Sequence, residues 1–282
     1  MKICDLHTHS NYSDGTCTPA ELVREASKNR IDAIALTDHN TVDGLEEFFR
    51  AGEEYGVITV GGAELTCEYE GNEVHMLGLF LNSECKNDIG AFCAELAKSK
   101  YESNVRLLDS LSKAGYAIDS IEQIYARSVH GNVNRAHIAQ SLIAHGYVSS
   151  VPEAFAGLLS PEHGYYVPPK RPDATDTIKL IKGIGGVAVV AHPYLSLTSE
   201  QIERFLPYAK KTGLDGMETY YSKYSSEIHT LARKTAQQYG LLESGGSDYH
   251  GTRKAEIKLS SHDGFYVPYE LYETLSKSLK IQ

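Results

Sequence analysis

The chain has 282 residues, of which 41% are hydrophobic and 23% charged, and its formal net charge is −10 at pH 7. This length suits one large α/β domain or a barrel with an inserted subdomain. No apolar run approaches the roughly 20 residues that span a bilayer, no signal-peptide pattern follows Met1, and the acidic balance disfavours a broad grip on duplex nucleic acid. We therefore expect a cytoplasmic protein without membrane contact or stable duplex DNA binding.

Strands and helices alternate over the first 84 residues. Apolar and β-branched runs predict strands over 3–9, 33–37, 57–60 and 74–81. A helix is predicted to begin near Thr18, where a capping-box spacing to Glu21 coincides with a proline at the first helical position. A second helix is predicted over 43–55.

The middle of the chain has a different pattern. Helical apolar spacing runs from about 89 to 114 and from 135 to 145, with Gly115 and Gly146 as stop signals. We interpret 85–165 as a helical insertion subdomain, for which an oligomer interface is the alternative role. The oligomeric state itself is left open by the sequence.

Strand–helix alternation resumes after the insertion. Strands are predicted over 186–191, 214–219 and 241–244, and helices over 200–212 and 225–239. Repeated βα units predict a parallel sheet or barrel, here formed by 1–84 and 166–282. Such folds collect their chemistry at the carboxyl ends of the strands.

The first strand carries the first candidate metal ligands. Residues two apart share one face of a strand, so Asp5, His7 and His9 point the same way. Asp14 follows within one loop and adds a carboxylate. An isolated H-x-H pair is more often a chance occurrence than a metal site, so this segment gains weight only from the others.

Further histidines and carboxylates follow at successive predicted strand ends. Each has an ordinary alternative: capping of a helix, a solvated surface position, or a core histidine in the case of His75. A barrel would bring all of them into one mouth, which chance does not readily arrange. The segments are Asp38-His39, Gly61-Gly62-Ala63-Glu64, His75, His192-Pro193 and Gly245-Gly246-Ser247-Asp248-Tyr249-His250.

Together these segments resemble the metal motifs of the PHP (polymerase and histidinol phosphatase) family, in order and over nearly the whole chain. The resemblance implies a distorted (βα)7 barrel of α/β class and a centre of two or three divalent ions. Mixed histidine and carboxylate ligation suits manganese, iron or zinc.

Carried over residue by residue, the resemblance implies three ion sites. Asp14 stands where some family members have histidine. The implied ligands are His7, His9, Glu64 and Asp248 for the first ion, Glu64, His75 and His192 for the second with Glu64 bridging, and Asp14, His39 and His250 for the third.

The segment 131–139 and the helical insertion resemble the branch of the family that acts on nucleoside 3′,5′-bisphosphates and short RNA 5′ ends. That resemblance implies that Arg135, with Lys170 or Arg171, lies against a substrate phosphate, and His137 is a further substrate-binding candidate. The local pattern is Asn-Arg-Ala-His where Gly-Arg-Pro-His is expected. The expected substrate is therefore a phosphorylated small molecule or a short RNA.

The expected reaction is phosphomonoester hydrolysis by a hydroxide that bridges two ions about 3.5–4 Å apart. Asp38 is expected to orient a ligand histidine, and His192, His39 or a metal-bound water is the candidate general acid. Tyr194 and Tyr220-Tyr221 follow strand ends and are candidates for stacking on a base, although packing is the more usual fate of such residues.

Four other functions share parts of this pattern. A histidinol-phosphate-type phosphatase would share the metal chemistry. A metal-dependent amidohydrolase also begins with H-x-H but usually needs a bridging lysine, a place that Glu64 takes here. A non-catalytic metal-stabilised interaction module would be expected to lack ligands, and a polymerase-associated exonuclease domain would belong to a far longer chain.

Overall fold

The computed structural model describes residues 2–127 and 133–279. Its seven strands form one sheet in sequence order. They are β1 (Cys4–Asp5), β2 (Ala33–Leu36), β3 (Ile58–Tyr69), β4 (Asn72–Leu79), β5 (Val187–Ala191), β6 (Gly216–Tyr221) and β7 (Leu242–Gly246).

The sheet curls into a nearly closed barrel because β7 returns to β1. The backbone N–H of Leu6 donates to the carbonyl of Gly245 at 3.0 Å, and that of Asp248 donates to the carbonyl of His7 at 2.9 Å. Beyond the strands, Thr8 bridges Tyr249 in parallel. The predicted α/β barrel of seven strands is confirmed.

Eleven helices are present in the part of the chain that the structure describes, together with short 3-10 turns. Helix α1 begins at the predicted capping box, in which Thr18 and Glu21 each accept from the other's backbone N–H. The helices are α1 (Pro19–Lys28), α2 (Leu45–Tyr55), α3 (Lys86–Lys113), α4 (Ile121–Ala126), α5 (Arg135–Ala144), α6 (Val151–Ala156), α7 (Ala174–Gly183), α8 (Pro193–Ser196), α9 (Ser199–Thr212), α10 (Ser226–Tyr239) and α11 (Tyr269–Ser278).

The predicted strand boundaries were wrong at two places. Strand β1 ends at Asp5, so His7 and His9 follow it in an irregular segment and are not on a continuous strand. Strand β3 continues to Tyr69, so Glu64 lies inside a strand and not after its end. The strand does not end at the two glycines at 61–62, as the sequence predicts, but passes through them into a hairpin.

That hairpin interrupts the parallel order of the barrel. Strand β4 pairs antiparallel with both β3 and β5, whereas the other neighbouring pairs within the sheet are parallel. In the hairpin Thr66 pairs with His75 and Glu64 pairs with Leu77. The hydrogen-bond ladder therefore fixes the spacing between Glu64 and His75.

The chain divides into two compact units, Met1–Ala91 with Pro172–Gln282, and Phe92–Arg171. The first unit is the barrel, and its core includes alternate residues of neighbouring strands such as Leu77 and Leu79, and Val187 and Val189. The second unit is helical, and its core includes Leu107, Ile138 and Leu142. The prediction that 85–165 is a subdomain in its own right stays a prediction.

No helix among residues 2–127 and 133–279 is both long and apolar enough to cross a membrane.

Candidate metal centre

The barrel brings the nine predicted metal ligands into neighbouring positions at one end. His7 and His9 follow β1, His39 follows β2, and His192 follows β5, while Asp248 and His250 follow β7. Glu64 and His75 reach the same region from within the hairpin, and Asp14 lies in the loop before α1. The clustering comes from the shared carboxyl edge of the parallel strands, to which the hairpin adds two side chains.

Glu64 lies at the centre of this cluster and contacts five of its histidines. Its side chain is almost fully buried, and its Oε1 lies 2.7 Å from His75 Nδ1 and 3.0 Å from His192 Nε2. Its Oε2 lies 3.3, 3.2 and 3.1 Å from ring nitrogens of three more residues, which are His7, His9 and His39. A carboxylate with histidines on both oxygens has the arrangement that a bridge between two ions needs.

The group predicted for the first ion is completely buried. His7 Nε2 and His9 Nε2 are 3.1 Å apart, and His9 Nε2 is 3.2 Å from Asp248 Oδ1 and from Glu64 Oε2. Ligand atoms arranged tetrahedrally around an ion at about 2.1 Å are about 3.4 Å apart. The four donor atoms therefore have the spacing of a coordination shell.

The donors around Glu64 Oε1 form a second group. His75 and His192 both lie within hydrogen-bond distance of that oxygen, as the second predicted site requires. His39 joins this group as well, because its ligand atom lies within 4.8 Å of those of Glu64 and His75. His39 thus lies between the second and third predicted sites and is within reach of both.

The third predicted group surrounds Asp14. Its Oδ1 lies 3.0 Å from His250 Nε2 and 3.7 Å from His39 Nε2, and His9 belongs to the same group of potential ligands. The rings of His9 and His250 stack with centroids 4.1 Å apart. Asp14 is thus positioned to share ligands with the first site.

Asp38 holds the loop that carries Asp14. Its carboxylate accepts from the backbone N–H of Ser10 at 2.8 Å and from the hydroxyls of Ser10 and Ser13 at 2.5 Å each. The expectation that Asp38 orients a ligand histidine is corrected by these bonds, because both of its oxygens accept from the two serines. Asp38 therefore fixes the path of residues 10–14.

Two strand ends adopt backbone conformations that L-residues rarely populate. His192 has φ 30° and Asp248 has φ 58°, in the left-handed region where non-glycine residues carry strain. Pro193 begins α8 directly after His192 and fixes the exit from that turn. Strain at such positions accumulates at functional sites, where surrounding contacts enforce it.

The buried polar atoms of the cluster support metal binding. Among the residues that the structure describes, Asp14 Oδ1, Glu64 Oε2 and His250 Nε2 are buried, and their close contacts within the cluster lack the alignment of a full hydrogen bond. Leaving such atoms unpaired costs roughly 1–3 kcal/mol each, and a divalent ion would satisfy several of them at once. The residues present therefore fit divalent ions.

The charge balance of the cluster is consistent with this interpretation. Burial lowers the pKa of His9, but hydrogen bonds to Asp248 and Glu64 outweigh burial and raise that pKa to about 9. Burial likewise acts to lower the pKa of His75, and the charge of Glu64 raises it to about 10. For His39 burial prevails and lowers the pKa to about 3. The neutral His39 ring suits a ligand better than a proton donor at pH 7.

Three further residues contact the cluster, and two of them, Glu218 and Lys254, are absent from the sequence prediction. Glu218 is fully buried and accepts from His7 Nδ1 at 3.0 Å. Tyr221 and Lys254 donate to Asp248 Oδ2, each at 2.9 Å. Glu218 could have been found, since a carboxylate in the middle of a predicted buried strand needs a buried partner.

Tyr221, one of the candidates for stacking on a base, is packed inside the protein, which is the more usual fate of such residues. Its side chain is 2% exposed, and its ring packs against His192 with centroids 5.1 Å apart. Tyr194 is also engaged, because its hydroxyl is 2.8 Å from Thr235 Oγ1.

The four predicted substrate-binding side chains lie in the helical unit. The Arg135 guanidinium lies over the rings of Tyr166 and Phe155, at 4.2 and 4.9 Å from their centroids, and donates to the carbonyl of Leu159. His137 completes a capping box with Asn134 at the start of α5. The backbone N–H of Lys170 donates to Ser99, Arg171 is the last residue of the unit, and Gly131 of the branch motif lies outside the described residues.

A βα barrel with a buried cluster of histidines and carboxylates at its mouth is characteristic of metal-dependent hydrolases. The sequence pattern of the PHP domain matches residues 5–159. The chain belongs to the PHP domain family.

Curated relatives along most of the chain have related activities. A 5′-3′ exoribonuclease of Haemophilus influenzae is 30% identical over 87% of this chain and 89% of its own. A phosphoribosyl 1,2-cyclic phosphate 1,2-diphosphodiesterase of Eggerthella lenta is 30% identical over 94% and 98%. A 3′,5′-nucleoside bisphosphate phosphatase of Chromobacterium violaceum is 30% identical over 89% and 88%.

Solved structures agree with the fold. A protein from Bifidobacterium adolescentis, provisionally described as a metal-dependent phosphoesterase, has a TM-score of 0.79 at 29% identity, over 97% of this chain and 95% of its own. A protein from Chromobacterium violaceum named as an amidohydrolase, with bound sulfate, has a TM-score of 0.81 at 27% identity, over 97% and 96%. The chain is a metal-dependent phosphoesterase, as its sequence predicted, although the second structure bears the name of the rival class.

Proposed function

We propose that the chain removes the 3′-phosphate of nucleoside 3′,5′-bisphosphates and also acts on short 5′-phosphorylated RNA. The observation that carries the proposal is the placement of five histidines around both oxygens of Glu64. The similarity to a 3′,5′-nucleoside bisphosphate phosphatase and to a 5′-3′ exoribonuclease supports the substrate class.

The ligands proposed for two or three divalent ions of manganese, iron or zinc are the nine residues of the cluster. They are His7, His9, Asp14, His39, Glu64, His75, His192, Asp248 and His250. The bound ions supply positive charge for the phosphoryl oxygens and activate a water for attack.

The side chains of the cluster have separate tasks in the reaction. Glu64 holds one group of histidines on each of its oxygens and thereby sets the distance between them. His192, at 7% exposure, keeps Nε2 on Glu64, and its Nδ1 lies among the buried atoms without a hydrogen-bond partner in the described structure. That ring is the side chain we propose for proton transfer to the leaving oxygen. Asp38 acts by keeping the loop of Asp14 in place.

Arg135 is proposed to hold a second phosphate of the substrate, as are Lys170 or Arg171 and His137. A guanidinium has five N–H donors in a planar fork, and one of those of Arg135 bonds the carbonyl of Leu159. The rings of Tyr166 and Phe155 pack against the guanidinium and restrict its orientation. The remaining donors suit a bidentate contact with phosphate oxygens.

A second substrate is favoured by one relative. The phosphoribosyl 1,2-cyclic phosphate 1,2-diphosphodiesterase aligns with 94% of this chain, a larger share than the other two relatives described above. Opening a cyclic phosphate uses the same attack on phosphorus but releases no inorganic phosphate in that step. The two activities can therefore be separated by their products.

The test compares substrates on protein reconstituted with manganese. Adenosine 3′,5′-bisphosphate, a 5′-phosphorylated RNA oligomer, histidinol phosphate and a ribose 1,2-cyclic phosphate are each assayed for phosphate release and for product by chromatography. His9→Ala and Arg135→Ala run beside the wild type, and Arg106→Ala is the matched control because Arg106 is a half-exposed arginine of the same unit.

The proposal predicts fast phosphate release from the bisphosphate, loss of that activity in His9→Ala, and a raised KM in Arg135→Ala with Arg106→Ala unchanged. Turnover of histidinol phosphate or of the cyclic phosphate alone would keep the metal chemistry and refute the proposed substrate. No hydrolysis of any of the four by metal-loaded protein would refute the proposal as a whole.

A further inference from the structure

Strand β6 supplies none of the nine proposed ligands, yet two of its side chains are buried against them. Glu218 is 0% and Tyr221 2% exposed. Glu218 contacts His7 and the turn at His192, and Tyr221 contacts Asp248. A buried carboxylate is expensive unless it is fully hydrogen-bonded, so its presence on this strand needs a reason.

A bulge lets both residues face the cluster. Positions three apart on a regular strand point to opposite faces. In the pairing of β6 with β7, Glu218 is opposite Ser244 and Tyr220 is opposite Gly245, so Thr219 is an extra residue. An inserted residue shifts the alternation by one. Glu218 and Tyr221 therefore lie on the same side, whereas Tyr220 lies beside Arg233 of α10.

Both oxygens of Glu218 are already used. Oε1 is 3.0 Å from His7 Nδ1, and Oε2 accepts from the backbone N–H of His192 at 2.8 Å. A carboxylate can only accept, so the His7 proton must be on Nδ1. Nε2 is then the ring nitrogen left to bind an ion, and it lies 3.3 Å from Glu64 Oε2 and 3.7 Å from Asp248 Oδ1.

These hydrogen bonds give Glu218 a different role from that of the nine proposed ligands. By distance alone Glu218, His7 and His192 could form another ion site. An ion there would have to displace the His7 bond and the His192 bond, which satisfy the carboxylate. A carboxylate that fixes the tautomer and orientation of a ligand histidine is a common partner of metal sites.

Tyr221 does the equivalent for Asp248. Its hydroxyl donates to Oδ2 at 2.9 Å, and Lys254 Nζ lies 2.9 Å from the same oxygen. The other oxygen, Oδ1, faces His9 at 3.2 Å. The carboxylate is therefore held in one orientation with Oδ1 toward the first ion group.

We propose that β6 is a positioning strand, on which Glu218 orients His7 and the His192 turn while Tyr221 orients Asp248. The inference rests on the proposed function because it assigns these tasks at the same metal centre. Neither residue contacts substrate in this proposal, and both act through the ligands that they hold.

The test measures manganese affinity by calorimetry for Glu218→Gln and Tyr221→Phe. Glutamine has one acceptor and one donor group, so in either orientation one N–H, of His7 or of His192, faces an NH₂ group. Loss of such a partner typically weakens metal binding 10–100-fold, and we expect this for Glu218→Gln. For Tyr221→Phe we expect about tenfold, the lower end of that range, because Lys254 remains. Tyr220→Phe is the matched control and should bind as the wild type does.

A second readout separates orientation from a general loss of structure. In zinc-loaded protein, ¹⁵N–¹H spectra report which ring nitrogen of His7 carries the proton, with His7→Gln used for assignment. The wild type should show the proton on Nδ1, and Glu218→Gln should change that signal while Tyr221→Phe leaves it unchanged. Unfolding of the metal-free variants by urea shows whether each is folded.

The outcomes distinguish this inference from the proposed function. Wild-type affinity in folded Glu218→Gln and Tyr221→Phe, with an unchanged His7 signal, would refute the positioning role even if the enzyme hydrolyses the bisphosphate. Weakened binding in both variants would support it even if none of the four substrates is hydrolysed. Equal weakening in Tyr220→Phe would also overturn it, because a general defect of β6 would then explain the effect.

Discussion

Gly246 lies at the seam of the barrel, where the end of β7 meets the end of β1. Substituting it tests whether the contact between these two segments positions the metal ligands. A β-carbon at this position would lie 2.3 Å from His7 Cβ and 2.4 Å from His7 N. Ordinary contacts of such atoms begin at 3.4 Å, so Gly246→Ala must push the two segments apart by about 1 Å. Asp248 follows two residues later, so the displacement separates two ligands of the first ion.

The expected loss of stability can be worked from these contacts. Overpacking of a tight interior costs about 1–3 kcal/mol. The seam bonds from Leu6 to Gly245 and from Asp248 to His7 contribute about 0.5–1.5 kcal/mol each. Gly246→Ala should therefore lower the free energy of unfolding by about 2–6 kcal/mol. Ligand distances tolerate about 0.2 Å, so manganese binding at the first site should be lost.

Urea unfolding with a chelator present measures the stability, and calorimetry with manganese measures the binding. Gly90→Ala is the control, since Gly90 is inside α3 and nothing lies within 4 Å of an added β-carbon. That change should stabilise by about 0.5–1 kcal/mol. A Gly246→Ala protein with the stability and manganese affinity of the wild type would refute the reasoning.

Three further predictions concern the same centre. Asp38→Asn should lower the free energy of unfolding by about 1.5–3 kcal/mol, the value of a hydrogen bond to a charged group, and should lower the number of ions bound. An unchanged number of ions by elemental analysis would contradict the role of Asp38 in holding the Asp14 loop. Manganese affinity should rise between pH 6 and 8 by about tenfold per pH unit for each proton that binding releases. The pKa values of His9 and His75 are raised to about 9 and 10, so protons must leave these rings before the ion binds. Calorimetry in buffers of different ionisation enthalpy counts the released protons, and a count of zero would contradict this prediction. Manganese at about 100 times its Kd should stabilise the fold by about 2.7 kcal/mol, and a chelator should reverse the shift in thermal unfolding; an equal gain in His9→Ala would show that the ion binds elsewhere.

The sequence predicted the barrel from the alternation of strands and helices. The run Val187–Ala191, which is buried at every position, is typical of a fully buried strand. The hairpin of β3 and β4 was not predicted. The strands predicted over 57–60 and 74–81 leave 61–73 unassigned, although Leu65, Cys67 and Tyr69 alternate with polar residues as in a half-buried strand.

The grouping of the predicted ligands followed from their positions at strand ends. What the sequence could not supply was the choice of partners within the cluster. The hydrogen bonds of Asp38 depend on how the loop of Ser10 and Ser13 folds back over it. The side of the strand on which Tyr221 lies depends on a bulge at Thr219. A single extra residue in a strand leaves no pattern in the sequence, since the alternation is interrupted only once.

The seam of the barrel also determines when the centre can exist during synthesis. The backbone N–H of Ser247 donates to the carboxylate of Asp5, which is 242 positions earlier in the chain. Translation proceeds at about 5–20 residues per second, so His7 and His9 leave the ribosome long before their partners Asp248 and His250. A nascent chain therefore carries an H-x-H pair without the carboxylate that completes its first ion site, and stable metal capture has to wait for the last strand.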